Sequence, residues 1–228
     1  MIIALIPARK GSKGLKNKNL LKINDISIVN HAIKIGLSIK SIEHTILSSD
    51  SSKILNQAKF NIQKVIKIKR SQNISKDSTP MLPVMEDAIK FIEKKTNKKV
   101  SFLVILDPTS PLRQKKDIIK AIKIFEKKKL DLLVSVNEAE HNPYFSILEK
   151  DKKHYSLSKG KNLNIGSRQK AKQVFNVNTI VWIYSRKAIM QIKKRIPFKT
   201  NIIIMPNKRS QEINTKADWT KVQKYFNK

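Results

Sequence analysis

The 228-residue chain sets 48 Lys+Arg against 17 Asp+Glu, a formal charge of +31, and has four histidines and no cysteine. Those counts exclude disulfides, thiolate metal sites and a cysteine nucleophile, and they argue against a structural zinc site. Hydrophobic residues, at 40%, suffice for a buried core; the length suits one domain of roughly 100–200 residues, and no apolar run nears the roughly 18 residues of a membrane helix.

The charge is carried by 41 Lys and only 7 Arg, beside abundant Ile and Asn, the bias an A/T-rich genome produces. Nucleic-acid readers place Arg on base edges and interleave stacking aromatics, which are 6% here, so no specific nucleic-acid partner is expected. A basic field still attracts anionic ligands, nucleoside triphosphates included.

Residues 2–6 are a continuous apolar run stopped by Pro7, without the basic start of a signal segment, and read as a buried first strand. Residues 7–19 are polar and basic. Residues 27–39 place Ile28, His31, Ala32, Ile35 and Ile39 at helical spacing. A short strand is predicted over 44–49, with Asp50, Ser51 or Ser52 capping a following helix, and another over 65–68. Met85, Ala88, Ile89 and Ile92 mark a helix over 82–95; 102–106 is the strongest strand, and 115–129 a Lys-rich amphipathic helix. A buried strand follows over 132–136. From 137 to 176 the pattern turns polar with short extended pieces, as in an inserted arm. Residues 178–184 and 201–205 restore strands, and 185–194 and 215–226 helices. The alternation predicts an α/β fold, a mostly parallel central sheet with helices on both faces, in one domain over 1–228.

In such sheets ligands bind beyond the carboxyl ends of the strands. The first such loop holds Gly11, Gly14 and five cations: Arg9, Lys10, Lys13, Lys16 and Lys18. Glycines that let backbone N–H groups approach oxyanions, among cations, meet the needs of a triphosphate. The loop is neither a Walker loop nor a dinucleotide fingerprint, and an ordinary basic loop with turn glycines is the plain alternative.

The stretch Ile6-Pro7-Ala8-Arg9-x-Gly11-Ser12-Lys13-Gly14-Leu15-x-x-Lys18-Asn19 resembles the opening motif of the acylneuraminate cytidylyltransferases, the CMP–sialic acid synthetases. Four further stretches agree in order: Ser48-Ser49-Asp50; Arg70 with Asp77-Ser78; Pro108-Thr109-Ser110-Pro111-Leu112-Arg113; and Arg168-Gln169 with Phe175 and Asn178. The resemblance spans residues 2 to about 219 and implies a Rossmann-like sheet of the nucleotide-diphospho-sugar transferase type. It also implies transfer of CMP from CTP to the anomeric hydroxyl of a nonulosonic, sialic-acid-like sugar, releasing pyrophosphate, with Mg²⁺ as cofactor. By resemblance, Arg9 and Lys18 are catalytic, neutralising the triphosphate. Ala8, Gly11, Ser12, Lys13, Gly14, Asn19 and Arg70 join them around the nucleotide. Asp107, Thr109, Ser110, Arg168, Asn178 and Trp182 fall at the sugar, and Glu212 and Asn214 at the metal.

Several residues depart from the family pattern. Glu212-Ile213-Asn214 replaces the metal-binding Asp-x-Asp, and a neutral Asn carbonyl lowers the site's charge. A surface acid and a helix N-cap are the plain readings of these two positions. Asp107 stands for the usual Gln, an acceptor-only group that would repel an anionic sugar without a donor opposite. Phe145, Trp182 and Thr179 replace Lys, Tyr and Gly, which suits a legionaminic- or pseudaminic-type acid. Arg168 reads otherwise as a solvated cation, and Asn178 as a turn residue. The resemblance further implies a cytoplasmic homodimer paired through the 137–176 arm, whose Tyr144, Phe145 and Ile147 need cover. The alternatives are CMP-3-deoxy-manno-octulosonate synthesis and a degenerate, non-catalytic nucleotide-binding relative.

Overall fold

The computed structural model describes residues 1–11, 14–58, 65–159, 169 and 171–226. Its centre is a seven-stranded sheet in the order β11-β7-β10-β6-β1-β4-β5. The strands are β1 (Ile2–Pro7), β4 (His44–Ser49), β5 (Val65–Lys69), β6 (Phe102–Ile105), β7 (Leu132–Glu138), β10 (Phe175–Ser185) and β11 (Thr200–Ile204). Only β10 runs antiparallel to its neighbours, β6 and β7. The helices are α1 (Ile28–Ser38), α2 (Ser52–Leu55), α3 (Met81–Thr96), α4 (Lys115–Lys128) and α5 (Lys216–Phe226).

Because β1 is apolar on both sides of its pleat, it feeds two cores. Ala4 and Ile6 pack with residues of α1 and α4, and Ile3 and Leu5 with residues of α3 such as Met85 and Ile89. The chain moves outward from β1 through β4 to β5, then returns to the opposite flank of β1 as β6. That reversal opens a crevice between the loops after β1 and β6, where open α/β sheets bind ligands. A third cluster of Ile23, Ile28, Ile213 and Val222, with Leu15 and Leu112 against it, lies outside the sheet and ties together the loops at this edge.

The structure corrects some expected elements. Residues 22–27 form a two-stranded hairpin, β2 (Lys22–Ile23) and β3 (Ile26–Ser27), turned by Asn24 and Asp25 at φ 47° and 59°. Paired positive φ values define the tight hairpin turn that Asn and Asp tolerate. Ser27 then caps α1, its hydroxyl accepting from the Asn30 N–H at 3.3 Å. The helix expected over 185–194 is a five-residue π-helical turn, Ala188–Ile192, ended by Lys193 at φ 54°. Strand β10 starts at Phe175, before the expected 178, and bulges between Val177 and Trp182. Within the arm, β8 (Leu148–Asp151) and β9 (His154–Leu157) make a separate hairpin. No helix among the described residues is long and apolar enough to cross a membrane.

At the far edge of the sheet, Arg186 grips Glu93 of α3 through Nε at 2.8 Å and Nη2 at 3.0 Å, and the Val100 N–H donates to the same carboxylate at 2.9 Å. The Arg186 bond chiefly holds the Glu93 pKa below the ordinary carboxylate value. A carboxylate with a depressed folded pKa stabilises above its unfolded pKa and loses that contribution as pH falls through the folded value. Glu93→Gln should therefore lower unfolding free energy by about 1 kcal/mol at pH 7. Urea titrations should show the difference shrinking once pH drops below the ordinary carboxylate range.

Candidate active site

Six parallel strands deliver their carboxyl ends to one edge, and the loops after β1, β4, β5, β6 and β11 carry most of the polar residues singled out in the sequence. Ala8 extends β1 by one bond, its N–H donating to the Ser48 carbonyl at 2.9 Å, so Arg9 emerges beside the end of β4. Asn19, buried, donates from Nδ2 to the Arg9 carbonyl at 2.9 Å, and the Lys10 N–H donates to Asp50 at 2.7 Å. The loop is thus pinned by its backbone, leaving its cations to line a cavity of about 440 Å³ with Gly11, Lys16, Asn17, Asp50, Lys76 and Asp77 among its walls. Arg9 is ion-paired with Asp77, which follows β5.

Arg70 sits buried between these loops, donating from Nη2 to the Ser48 carbonyl at 3.0 Å and from Nε to its hydroxyl at 3.3 Å. Burial lowers its pKa and the charge on Arg9 adds to that, while Asp50 and Asp87 oppose both. Arg9 and Arg70 are therefore close enough to repel, as expected of groups gathered for a polyanion.

The loop after β6 has its own internal bracing. Asp107 accepts from the Thr109 N–H at 3.0 Å and the Thr109 hydroxyl at 2.8 Å. These bonds supply the donor its negative charge requires and fold the loop back on itself. Arg113 is buried and donates to the Asp107 and Ser110 carbonyls and, at 3.4 Å, to that of Thr179. Burial pushes its pKa down to about 10, with Asp107 opposing. Its rigid fork is what lets one side chain hold three carbonyls, a role the sequence reading had not assigned.

The segment before α5 joins the two loops. The Ile213 N–H donates to the Thr109 carbonyl at 2.9 Å, and Lys18 Nζ donates to Asn214 Oδ1 at 3.3 Å. Gly14 packs so tightly here that a Cβ would overlap the Asn214 carbonyl oxygen. Glu212 faces Thr109 at 3.5 Å. Burial, then the nearby Asp107 charge, raises the Glu212 pKa, against bonds from Thr179 and Thr109 and the charge on Lys18. Lys18, Asp107, Thr109, Thr179, Glu212 and Asn214 therefore converge. Two mutually repelling carboxylates with a hydroxyl between them form a donor set suited to a hard divalent cation. No cluster of three or more His, Cys, Asp or Glu occurs among the described residues, so ligand oxygens would have to complete the coordination. Asp218 accepts from the Asn214 and Thr215 N–H groups at 3.0 and 2.7 Å and starts α5 as a capping box.

Beyond Asp107 lies a second cavity of about 360 Å³, walled by the start of α3 and by β10. Trp182 lines it, with Asp107 and Thr179 at one side. Ser110 reaches this cavity only through Thr179, hydroxyl to hydroxyl at 2.6 Å. Asn178 is buried. Its amide is engaged by Ser135 at 2.6 Å and, more loosely, by Asn137 and Ser210, and its carbonyl accepts from Trp182 Nε1 at 2.7 Å. It therefore positions Trp182 and braces the bulge of β10. Ser12, Lys13 and Arg168 lie outside the described residues. Met81, Leu82, Tyr184 and Arg195 complete the site without having been singled out, and Asp77 and Arg113, named in the matching stretches, had been given no role.

A mostly parallel sheet with a cation-lined crevice at its topological reversal is the arrangement of a nucleotidyltransferase. Over 99% of this chain and 98% of the other, the structure matches CMP:2-keto-3-deoxy-manno-octonic acid synthetase complexed with CTP, at a TM-score of 0.70 and 14% identity. The family model described as cytidylyltransferase matches residues 3–220, and the chain belongs to that family. It is 31% identical over 224 residues to post-translational flagellin modification protein B of Campylobacter coli, covering 97% of this chain and 93% of that protein. It is 30% identical over 222 residues to CMP-N,N'-diacetyllegionaminic acid synthase of Campylobacter jejuni, with the same coverage.

Gly14→Ala should drive the first loop away from Asn214 and move Lys18 with it. A displacement near 1 Å costs on the order of 100-fold in rate, so kcat/KM should fall on that scale with little change in Tm. Arg113→Met should instead be a stability variant, costing about 3 kcal/mol because three carbonyls lose a charged donor; chemical denaturation measures it.

Proposed function

We propose that the protein is a CMP–nonulosonate synthetase, moving CMP from CTP to the anomeric hydroxyl of a nonulosonic acid and releasing pyrophosphate. The observation that carries this reading is the crevice itself. A cavity lined by Arg9, Lys10 and Lys16 and a second pocket beyond Asp107 flank the cluster of Lys18, Glu212 and Asn214. A triphosphate and a sugar acid need that adjacency, and relatives named for flagellin modification and for legionaminic acid activation support the sugar class.

Phosphoryl-type transfer asks the protein for in-line positioning and cations on the phosphate oxygens. Arg9 and Lys18, near the two ends of the first loop, stabilise the charge that builds on the departing pyrophosphate. Arg9 exchanges Asp77 for a phosphate oxygen when the nucleotide enters. Arg70 and Asn19 hold the loop and the end of β4 in register, and Gly11 leaves the backbone open to an oxyanion. Glu212 and Asn214, with Asp107 behind them, would hold Mg²⁺, which supplies further neutralisation of the triphosphate. Asp107, Thr109, Ser110, Asn178 and Trp182 shape the sugar side, and Arg168 stands as the partner of the acceptor carboxylate.

The reading extends to a single domain over 1–228 with a dimerisation arm at 137–176, and to a cytoplasmic homodimer. Support for pairing comes from Ile147, Leu148 and Tyr155 on the arm, exposed at 39%, 63% and 65%. Burying such side chains is worth roughly 1.5–3 kcal/mol each.

Purified protein given CTP, Mg²⁺ and a panel of nonulosonic and octulosonic acids should release pyrophosphate with the nine-carbon acids. Release with none of the acids contradicts the assignment, and release only with an eight-carbon acid transfers it to the octulosonate branch. Arg9→Ala should reduce kcat/KM for CTP at least 100-fold, on the scale of losing one charged transition-state donor, about 10²–10³. Asn214→Asp should lower the Mg²⁺ concentration at half-maximal rate, because ligand charge sets affinity for a hard cation.

A further inference from the structure

The chain between β11 and α5 carries Glu212 and Asn214 within residues 206–215, which form neither helix nor strand. Buried Met205 and Ile213 hold it to the core, the Met205 N–H donating to the Val136 carbonyl at 2.7 Å and the Ile213 N–H to that of Thr109. Between them Arg209 leaves a turn closed by its own N–H on the Pro206 carbonyl at 2.9 Å. Its guanidinium crosses to the start of α4. Nη1 donates to Gln114 Oε1 and Nη2 to Asp117 Oδ1, each at 2.8 Å, while Asp117 Oδ2 accepts from the Gln114 N–H at 2.9 Å. The Asp117 side chain is 7% exposed and that of Arg209 21%, so solvent screens the pair only in part.

Helix stability does not account for a guanidinium in this place. A helix N-terminus carries partial positive charge, and α4 already opens with Lys115 and Lys116, with Asp117 the acid of its first turn. Arg209 instead joins two segments of the site. Gln114 follows directly on Arg113, the end of the loop that holds Asp107 and Thr109, and Arg209 stands three residues before Glu212. The charges on Asp107 and Glu212 oppose each other, which pushes the two segments apart. Ile213 resists that push from one side of Glu212 and the Arg209 fork from the other. A lysine ammonium lacks the planar fork that meets two acceptors at fixed spacing.

We propose that Arg209 is a positioning residue for CMP transfer: by bridging Gln114 and Asp117, it holds Glu212 and Asn214 against the loop after β6 in the geometry the nucleotide meets. The proposal rests on the reading of Glu212 and Asn214 as the cation side of that site, and Arg209 acts through them.

Hydrogen exchange of the unliganded protein tests it without turnover. Arg209→Gln should speed exchange of the amides in 210–214 by about tenfold, the scale of one lost hydrogen bond to a charged group. Asp117→Asn, with one acceptor oxygen for two donors, should do the same from the α4 side. Arg186→Gln cuts the remote pair with Glu93 and is the control, leaving those amides unchanged. In turnover, Arg209→Gln should lower kcat/KM for CTP about tenfold, part of the roughly 100-fold that about 1 Å of misplacement costs. It should also raise the Mg²⁺ concentration at half-maximal rate, and Arg186→Gln should change neither quantity. Unchanged exchange over 210–214 in Arg209→Gln, or equal acceleration in Arg186→Gln, overturns the proposal. So does acceleration in Asp117→Asn confined to the first turn of α4, or faster exchange in Arg209→Gln with unaltered kcat/KM. Should no acid release pyrophosphate, the CMP-transfer reading fails by itself, and exchange alone decides whether Arg209 holds the segment.

Discussion

Burial of Ile213 fixes where the loops of the site can lie. Its side chain is fully buried among Ile23, Ile28 and Val222, with Leu15 and Leu112 beside it. Its N–H donates to Thr109. Removing such a side chain from water contributes roughly 1.5–3 kcal/mol, enough to hold a segment without regular structure of its own. The flanking residues then have little choice: Glu212 is set against Thr109 and Asn214 against Lys18 and Gly14. One apolar anchor thereby brings the loop after β1, the loop after β6 and the start of α5 to a common point.

Electrostatics explains why that point is suited to an anion of high charge. Arg9 and Arg70 oppose each other, and Asp50, Asp77 and Asp87 partly compensate them. On the other side Asp107 and Glu212 oppose each other, relieved in part by Lys18. The two halves call for opposite ligands: phosphate oxygens for Arg9, Lys10, Lys16 and Lys76 around the first cavity, and a cation for the carboxylates. Sites that hold like charges together in the empty protein are those where ligand charge is most effective.

The strands and long helices were legible in the sequence because apolar runs and 3.6-residue spacing survive any choice of surface residue, and the heavy lysine content left both patterns intact. Three features escaped for identifiable reasons. The 22–27 hairpin has two-residue strands, too short for an alternation signal, although Asn24-Asp25 is a recognisable turn pair. The 185–194 stretch has helical composition, but Lys193 turns left-handed and Pro197 follows. Arg113 stood in the Pro108–Arg113 stretch without a role of its own, since burial of an arginine leaves no trace in a single sequence. Within the site, the family resemblance pointed to Arg9, Lys18, Arg70 and the loop after β6, which the structure gathers at one edge of the sheet. The resemblance missed the apolar wall of the second cavity, because Met81, Leu82 and Met85 sit on a helix whose inward spacing serves the core equally well. Asp107, an awkward neighbour for an anionic sugar on paper, is supplied with donors by Thr109 two residues away.

The central claim is that three loops act as one preorganised nucleotide site. Hydrogen exchange with and without CTP tests it most directly. The account predicts that amides in 8–11, 14–19, 107–113 and 209–214 gain protection together, over the same range of CTP concentration. Protection confined to a single loop, or absent from the loop after β1, would contradict it.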